Sequence, residues 1–320
     1  MGKFKLAGIL LILFLVIIIW IIFIQPPNKV EKESYSELIS WKAPDTSSIP
    51  DSPKGNLIRY GRELILHTGM YFGPKGIISK NANGMNCENC HLYGGTKFFG
   101  NNFSLAATSY PKFRNRSGKI ETIVDRVNGC MERSMNGSPL DSVSKEMIAI
   151  VAYMNWIGKD VSGTKKVLGS GLEELPWLTR AADPAKGRKI YVMKCARCHG
   201  NDGQGVLKAD STEYIFPPLW GKNSYNIGAG IYRISKFAAF VKNNMPFGAT
   251  HNFPLISNNE AWDVAAFVNS QPHPFTDCQQ DWPEIISKPV DYPFGPYPDS
   301  FSEKQHKYGP FPKMIEYAKK

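Results

Sequence analysis

Two short stretches of the chain carry chemistry-bearing residues at the same spacing, Cys87-Glu88-Asn89-Cys90-His91 and Cys195-Ala196-Arg197-Cys198-His199. C-x-x-C-H is the attachment signature of c-type haem. Two thiols three positions apart each add to one vinyl group of a porphyrin, and the following histidine is placed to bind the iron on its proximal side. A redox C-x-x-C gives no reason for a histidine after the second cysteine, twice. A zinc site needs more paired ligands than the remaining cysteines supply. The spacing therefore predicts two covalently attached c-type haems. Cys87, Cys90, Cys195 and Cys198 attach them, and His91 and His199 are the proximal iron ligands.

A six-coordinate haem needs a second axial ligand. In the second copy, Asn243-Asn244-Met245-Pro246-Phe247-Gly248 puts Met245 in a Pro/Gly loop 46 residues past His199. A thioether held in such a loop suits a distal ligand. A core methionine is the commoner fate of Met, and His251 in the same region competes for the iron. Met245 lies 15 residues before Glu260, and Cys130 lies 16 before Glu146, so the repeat sets Cys130 at the equivalent place in the first copy. Three readings compete for Cys130: a thiolate ligand, a disulfide with Cys278, or an inert buried thiol with Met131 or Met135 on the iron. Spacing favours ligation. A thiolate lowers the potential of its haem and His/Met ligation raises it, so unequal haems would give electrons a direction.

At 320 residues the chain has room for two domains of ordinary size. Leu57, Ile58, Leu64 and Ile65 recur at near-helical spacing. Gly61-Arg62-Glu63-Leu64-Ile65 answers to Gly187-Arg188-Lys189-Ile190-Tyr191, and Ala152-Tyr153-Met154-Asn155 to Ala266-Phe267-Val268-Asn269. The latter pair close apolar helical patterns that begin around Glu146 and Glu260. Two helices flanking a haem motif match a small class I-like cytochrome c fold. From the glycine to the first haem cysteine is 26 residues in the first copy and 8 in the second, so the first carries an insertion.

The expected architecture is mainly α. Residues 1–24 form a membrane anchor and 25–54 a tether. Residues 55–160 form a cytochrome c domain with the first haem, and 161–183 a linker. Residues 184–270 form a second such domain with the electron-transfer haem, and 271–320 an extended, Pro- and aromatic-rich strap over both. Leu6 to Ile24 is an uncharged run of 19 residues, which as a helix is about 28 Å long, close to the hydrocarbon thickness of a bilayer. Lys3 and Lys5 precede it, which predicts a single pass through the inner membrane with the haem domains on the periplasmic side. A cleaved signal peptide is the alternative. Gln25-Pro26-Pro27-Asn28 offers no small-x-small cleavage site, which favours the anchor. The net charge of +10 suits an anionic substrate or partner, or a negative membrane surface. The four propionates of two haems reduce it, and no feature points to nucleic acid.

Asp125-Arg126-Val127-Asn128-Gly129-Cys130-Met131-Glu132-Arg133-Ser134-Met135-Asn136-Gly137 resembles the active-site stretch of dihaem thiosulfate dehydrogenases. Phe216-Pro217-Pro218-Leu219-Trp220-Gly221, Ser224-Tyr225-Asn226, Asn244-Met245-Pro246-Phe247-Gly248 and Pro293-Phe294-Gly295-Pro296-Tyr297 are similar to further signatures of that family. The resemblance implies that Cys130 is the distal ligand of the first haem and that this haem joins two thiosulfates into tetrathionate, or runs the reverse. It also implies active-site roles for Arg116, Arg126 and Ser134. Some members carry a lysine before the second-haem methionine that exchanges with it as ligand. Asn244 stands there, so no such switch is expected.

Arginine suits two dianions that must meet, because its planar fork matches sulfonate oxygens. Arg114 and Arg133 are read as surface arginines or haem propionate partners. The expected partners are thiosulfate or tetrathionate and an external redox protein, such as another cytochrome or a quinone-linked carrier. Two alternatives stand beside this reading: a membrane-anchored dihaem electron carrier with no substrate of its own, and a thiol-modifying haem subunit of a sulfur-oxidising complex.

Overall fold

The computed structural model describes residues 39–161 and 167–319. The first part holds strand β1 (Ile39–Ser40), helices α1 (Pro53–Leu66), α2 (Thr68–Phe72), α3 (Leu92–Gly95) and α4 (Ala106–Ser109), the hairpin of β2 (Lys112–Arg114) and β3 (Lys119–Glu121), and helices α5 (Ile123–Arg133) and α6 (Lys145–Ile157). Next come β4 (Val167–Leu168), α7 (Pro184–Lys194), α8 (Ala196–His199), β5 (Val206–Leu207), β6 (Tyr214–Phe216), α9 (Ile234–Asn244) and α10 (Asn258–Asn269). Helices α11 (Glu303–Tyr308) and α12 (Pro312–Tyr317) end the chain.

The framing helices begin at side-chain caps. Ser52 accepts from the Gly55 amide at 3.1 Å, and Ser144 from Met147 at 3.2 Å. Asp183 caps α7 with Pro184 in the first turn, where a missing N–H costs nothing. Ser257 and Glu260 form a reciprocal capping box on α10.

In each half the first and last framing helices cross at a glycine. A Cβ on Gly61 would lie 1.9 Å from the Ala149 carbonyl oxygen, and one on Gly187 1.9 Å from that of Asp263. Only glycine admits so close a backbone approach. The aromatics paired by the sequence repeat stand at these crossings, Tyr153 beside Gly61 and Phe267 beside Gly187. Leu64, Ile65, Phe72, Met147, Ile150 and Ile157 fill the first core, and Ile190, Tyr191, Trp220, Phe237 and Trp262 the second. Each helix-rich half has the framing-helix crossing expected of a class I-like cytochrome c domain.

The segment read as an extended strap departs from that description at its end. Ser302 caps α11 and Pro312 opens α12. Phe311 and Met314 are fully buried in the second core, with the Phe311 ring 4.9 Å from Trp177 and 5.6 Å from Trp262. Burying two large apolar side chains gives a reason to fold these residues that a solvated strap lacks. The β2–β3 hairpin carried no sequence signal. The run Leu6–Ile24 lies outside the described residues, and among the described residues no helix is long and apolar enough to cross a membrane.

Candidate active site and haem sites

Both proximal histidines are oriented by carbonyl groups. His91 donates from Nδ1 to the Asn101 carbonyl at 2.5 Å, and His199 from Nδ1 to the Pro217 carbonyl at 2.9 Å. This fixes the tautomer and leaves each Nε2 lone pair free for iron. Burial pushes the His91 ring down to about 4 and lowers His199, so both are neutral. The linker steadies the first arrangement, since Asn101 donates its amide to Gly171 at 2.8 Å.

A cavity of about 440 Å³ opens against Cys195, Cys198 and His199, with Met245 also on its wall. Its volume falls in the range of roughly 300–1,000 Å³ usual for cofactor sites. The lining is apolar, with Phe216, Leu219 and Phe237, and it includes Tyr225, whose hydroxyl is buried with no hydrogen-bond partner among the described residues. Apolar walls, a free donor, two cysteines and an oriented histidine fit a covalently attached haem. Cys90 of the first motif lines the same cavity, so the two haem sites adjoin. His251, the competitor of Met245, lies 3.4 Å from Glu173 and packs on Phe99.

Helix α5 faces the first motif. Thr122 and Asp125 cap it reciprocally, and Arg126, Cys130 and Ser134 follow at four-residue intervals on one face. Arg126 and Cys130 are half-buried. Burial pushes the Cys87 and Cys90 thiols up to about 12, and the nearby Cys130 adds to both. Cys130 raises the pKa of Arg126 against the opposing effect of burial, and the Arg126 charge reaches His91 and Tyr110. One neighbourhood therefore holds the first haem motif, Cys130, Arg126 and Tyr110. Cys130 and Cys278 are both free, so the disulfide reading is not met. Met131 and Met135 are buried in the first core at 2% and 3% exposure.

The other arginines have protein partners. Arg116 donates from Nε and Nη2 to Asp281 Oδ2 at 2.9 and 2.7 Å, and from Nη2 to the Gly228 carbonyl. Arg133 grips the same carboxylate end-on, Nη1 to Oδ2 and Nη2 to Oδ1, both at 2.8 Å. It is thus paired with a carboxylate rather than left at the surface. Arg114 lies 3.8 Å from Glu121. Desolvation alone would raise the Asp281 pKa, but the two guanidiniums outweigh it and hold it below its ordinary value. No periodicity announces Asp281, and although Tyr225 stands in one of the family-like motifs, nothing in the sequence marks its hydroxyl as buried and unpartnered.

The two halves also meet through Glu213 of β6. Its carboxylate, almost wholly buried, accepts from Asn86 Nδ2 at 2.9 Å and from Lys208, and lies 3.0 Å from His67 Nδ1. Asn226 spans the same seam, donating to the Glu132 carbonyl at 2.9 Å.

Comparison with known proteins agrees with this geometry. Residues 78–162 match the SoxA/TsdA cytochrome c domain, and residues 184–272 match cytochrome c. A thiosulfate dehydrogenase of Stutzerimonas stutzeri is 37% identical over 250 residues, covering 78% of this chain and 76% of that protein. One of Allochromatium vinosum is 35% identical, covering 74% of this chain and 85% of the relative. The solved thiosulfate dehydrogenase (TsdBA) of Marichromatium purpuratum superposes with a TM-score of 0.66 at 31% identity. That match covers 72% of this chain and 49% of the other, so the chain spans about half the length of that structure. With a haem-attachment motif in each of two cytochrome c domains and relatives at this identity and coverage, the chain belongs to the thiosulfate dehydrogenase family and is an enzyme with two covalently bound c-type haems.

Proposed function

We propose that the enzyme interconverts thiosulfate and tetrathionate at the His91 site. Two thiosulfates lose one electron each and form one S–S bond between their outer sulfurs. The His199 site, when it holds its haem, would relay the two electrons to an external redox protein. The observation that carries this reading is that Cys130 of α5 lies close to Cys87 and Cys90, with Arg126 one turn before it and close to His91.

When bound, each haem supplies a one-electron acceptor, and a His91/Cys130 pair gives a lower potential than a His199/Met245 pair. The protein's own task is electrostatic. Two dianions repel, and Arg126, a permanent cation one turn before Cys130, offsets part of that repulsion where the sulfurs must meet. Its planar fork suits two sulfonate oxygens at once. Ser134, one turn beyond Cys130, offers a hydroxyl donor to the same anion. Arg116 adds a second cation from the β2–β3 hairpin. On the other side, Cys90 and Tyr225 line the same cavity as Cys195, Cys198 and His199, so the two haem sites adjoin.

The proposal includes an uncleaved anchor at Leu6–Ile24, haem domains outside the cytoplasm and the domain limits 55–160 and 184–270. The carrier reading draws on one observation: Arg116 already holds a carboxylate and is less available to an anion. A steady-state assay of the purified soluble part separates the two. Thiosulfate with ferricyanide should yield tetrathionate, and tetrathionate with reduced methyl viologen should yield thiosulfate. Haems that redox mediators reduce readily, without turnover of either sulfur compound, would leave only a carrier.

A further inference from the structure

The Asp281 carboxylate is the most heavily used polar group outside the haem motifs. Its Oδ2 accepts from Arg116 Nε and Nη2, from Arg133 Nη1 and from the Tyr292 hydroxyl at 2.8 Å, while Oδ1 accepts from Arg133 Nη2. Its side chain is only 6% exposed. The same part of the strap also fixes the backbone of Arg116, because Trp282 donates its amide to the Arg116 carbonyl at 2.7 Å. One residue further, Pro283 sits against the hairpin turn, where a Cβ on Gly118 would come within 2.6 Å of its ring. Tyr292 lies under the guanidinium of Arg116, 6.0 Å from ring centre to Cζ.

We propose that Asp281, carried by the C-terminal strap, is a positioning residue for the anion site of the first haem domain, and that it acts through Arg116. This rests on the reading of Arg116 as a substrate-binding residue. The asymmetry of the cluster supports it. Arg133 meets the carboxylate fork to fork, which is a structural pair. Arg116 meets it side-on through Nε and Nη2, and its Nη1 donates to no protein acceptor among the described residues. The Arg116 side chain is 20% exposed, so the residue is not sealed off by its protein partners. Two guanidiniums sharing one carboxylate also leave the cluster with a net positive charge, as an anion site requires. A residue 165 positions away thus removes the rotamer freedom that a free arginine would lose on binding substrate.

The test is a double-mutant cycle on the purified holoprotein, with thiosulfate saturation kinetics and ferricyanide as acceptor. Asp281→Asn should raise KM for thiosulfate by about three- to tenfold with a smaller change in kcat. Arg116→Ala should raise KM further, and adding Asp281→Asn to it should change KM no more. If Asp281→Asn fails to fold, Tyr292→Phe loosens the same carboxylate and should raise KM in the same sense. A purely structural Asp281 would lower the melting temperature and leave KM where it was, or would add its full effect on top of Arg116→Ala. Either result overturns the proposal while the proposed function survives. An Arg116→Ala variant with unchanged KM would sink both this inference and the substrate role of Arg116.

Discussion

The two haem domains share a scaffold and differ in what closes over the haem. In both, capped helices cross at a glycine, with an aromatic of the last helix beside it, and a carbonyl group orients the histidine. Against its histidine the second domain has an apolar cavity with Met245 on the wall, at the end of a helix whose residues are mostly buried. The first offers α5, which buries Met131 alone and carries Cys130 and Arg126 close to the haem motif. An apolar lid suits an electron-transfer site, where reorganisation is kept small. A lid that carries a cation and a thiol suits a site that must receive an anion. On the proposed function, the duplicated fold would separate chemistry from relay by changing one segment of each copy.

The sharpest way to break this comparison is to remove its central difference. Cys130→Gly should retain both attached haems, because Cys87, Cys90 and His91 are untouched, and should lose a thiolate-type low-spin EPR signal. Met245→Ala should leave that signal in place. The same thiolate signal in Cys130→Gly would show that another group binds the first iron.

Arg126→Ala comes next. A lost charge-assisted hydrogen bond is worth about 1.5 to 3 kcal/mol, so kcat/KM for thiosulfate should fall roughly ten- to a hundredfold. Arg126→Lys should recover part of it, because it keeps the charge and loses the fork. An arginine that served only a haem propionate would shift the first haem's potential and leave the thiosulfate dependence alone.

The shared scaffold makes a matched prediction. Gly61→Ala and Gly187→Ala each drive a methyl group into a backbone carbonyl, and each should cost about 1–3 kcal/mol, read as a lower unfolding midpoint. Unequal effects would show that one crossing has room to open.

The smallest effect concerns the seam. Burial would raise the Glu213 pKa, yet its hydrogen bonds with Lys208, His67 and Asn86 lower it below its ordinary value near 4.5. A depressed carboxylate contributes stability that is present above that value and lost as pH falls through the folded pKa. Glu213→Gln should therefore lower the melting temperature at pH 7 and lessen its fall with acid below about pH 4.5. An unchanged acid limb would remove Glu213 from that role.

Local and periodic features were legible in the sequence. The motifs, the Gly61/Gly187 correspondence and helix starts near Glu146 and Glu260 all rest on spacing within one element, and the structure keeps them. The alignment of Cys130 with Met245 came from the same arithmetic. What escaped was long-range pairing between residues that look ordinary in isolation. Asp281 sits in a Pro-rich segment without periodicity, and nothing nearby in sequence announces two arginines more than a hundred residues earlier. The burial of Phe311 was hidden likewise, because an aromatic in a turn-rich tail reads the same whether it covers the surface or fills a core.

The central claim is that thiosulfate reacts at the Cys130 side of the molecule and nowhere else. Stopped-flow mixing of the oxidised holoprotein with thiosulfate, followed at the haem bands, tests it most directly in the wild type and in Cys130→Gly. The account predicts saturable reduction in the wild type and none in Cys130→Gly, although dithionite still reduces both of its haems. Thiosulfate reduction of Cys130→Gly at the wild-type rate would contradict it.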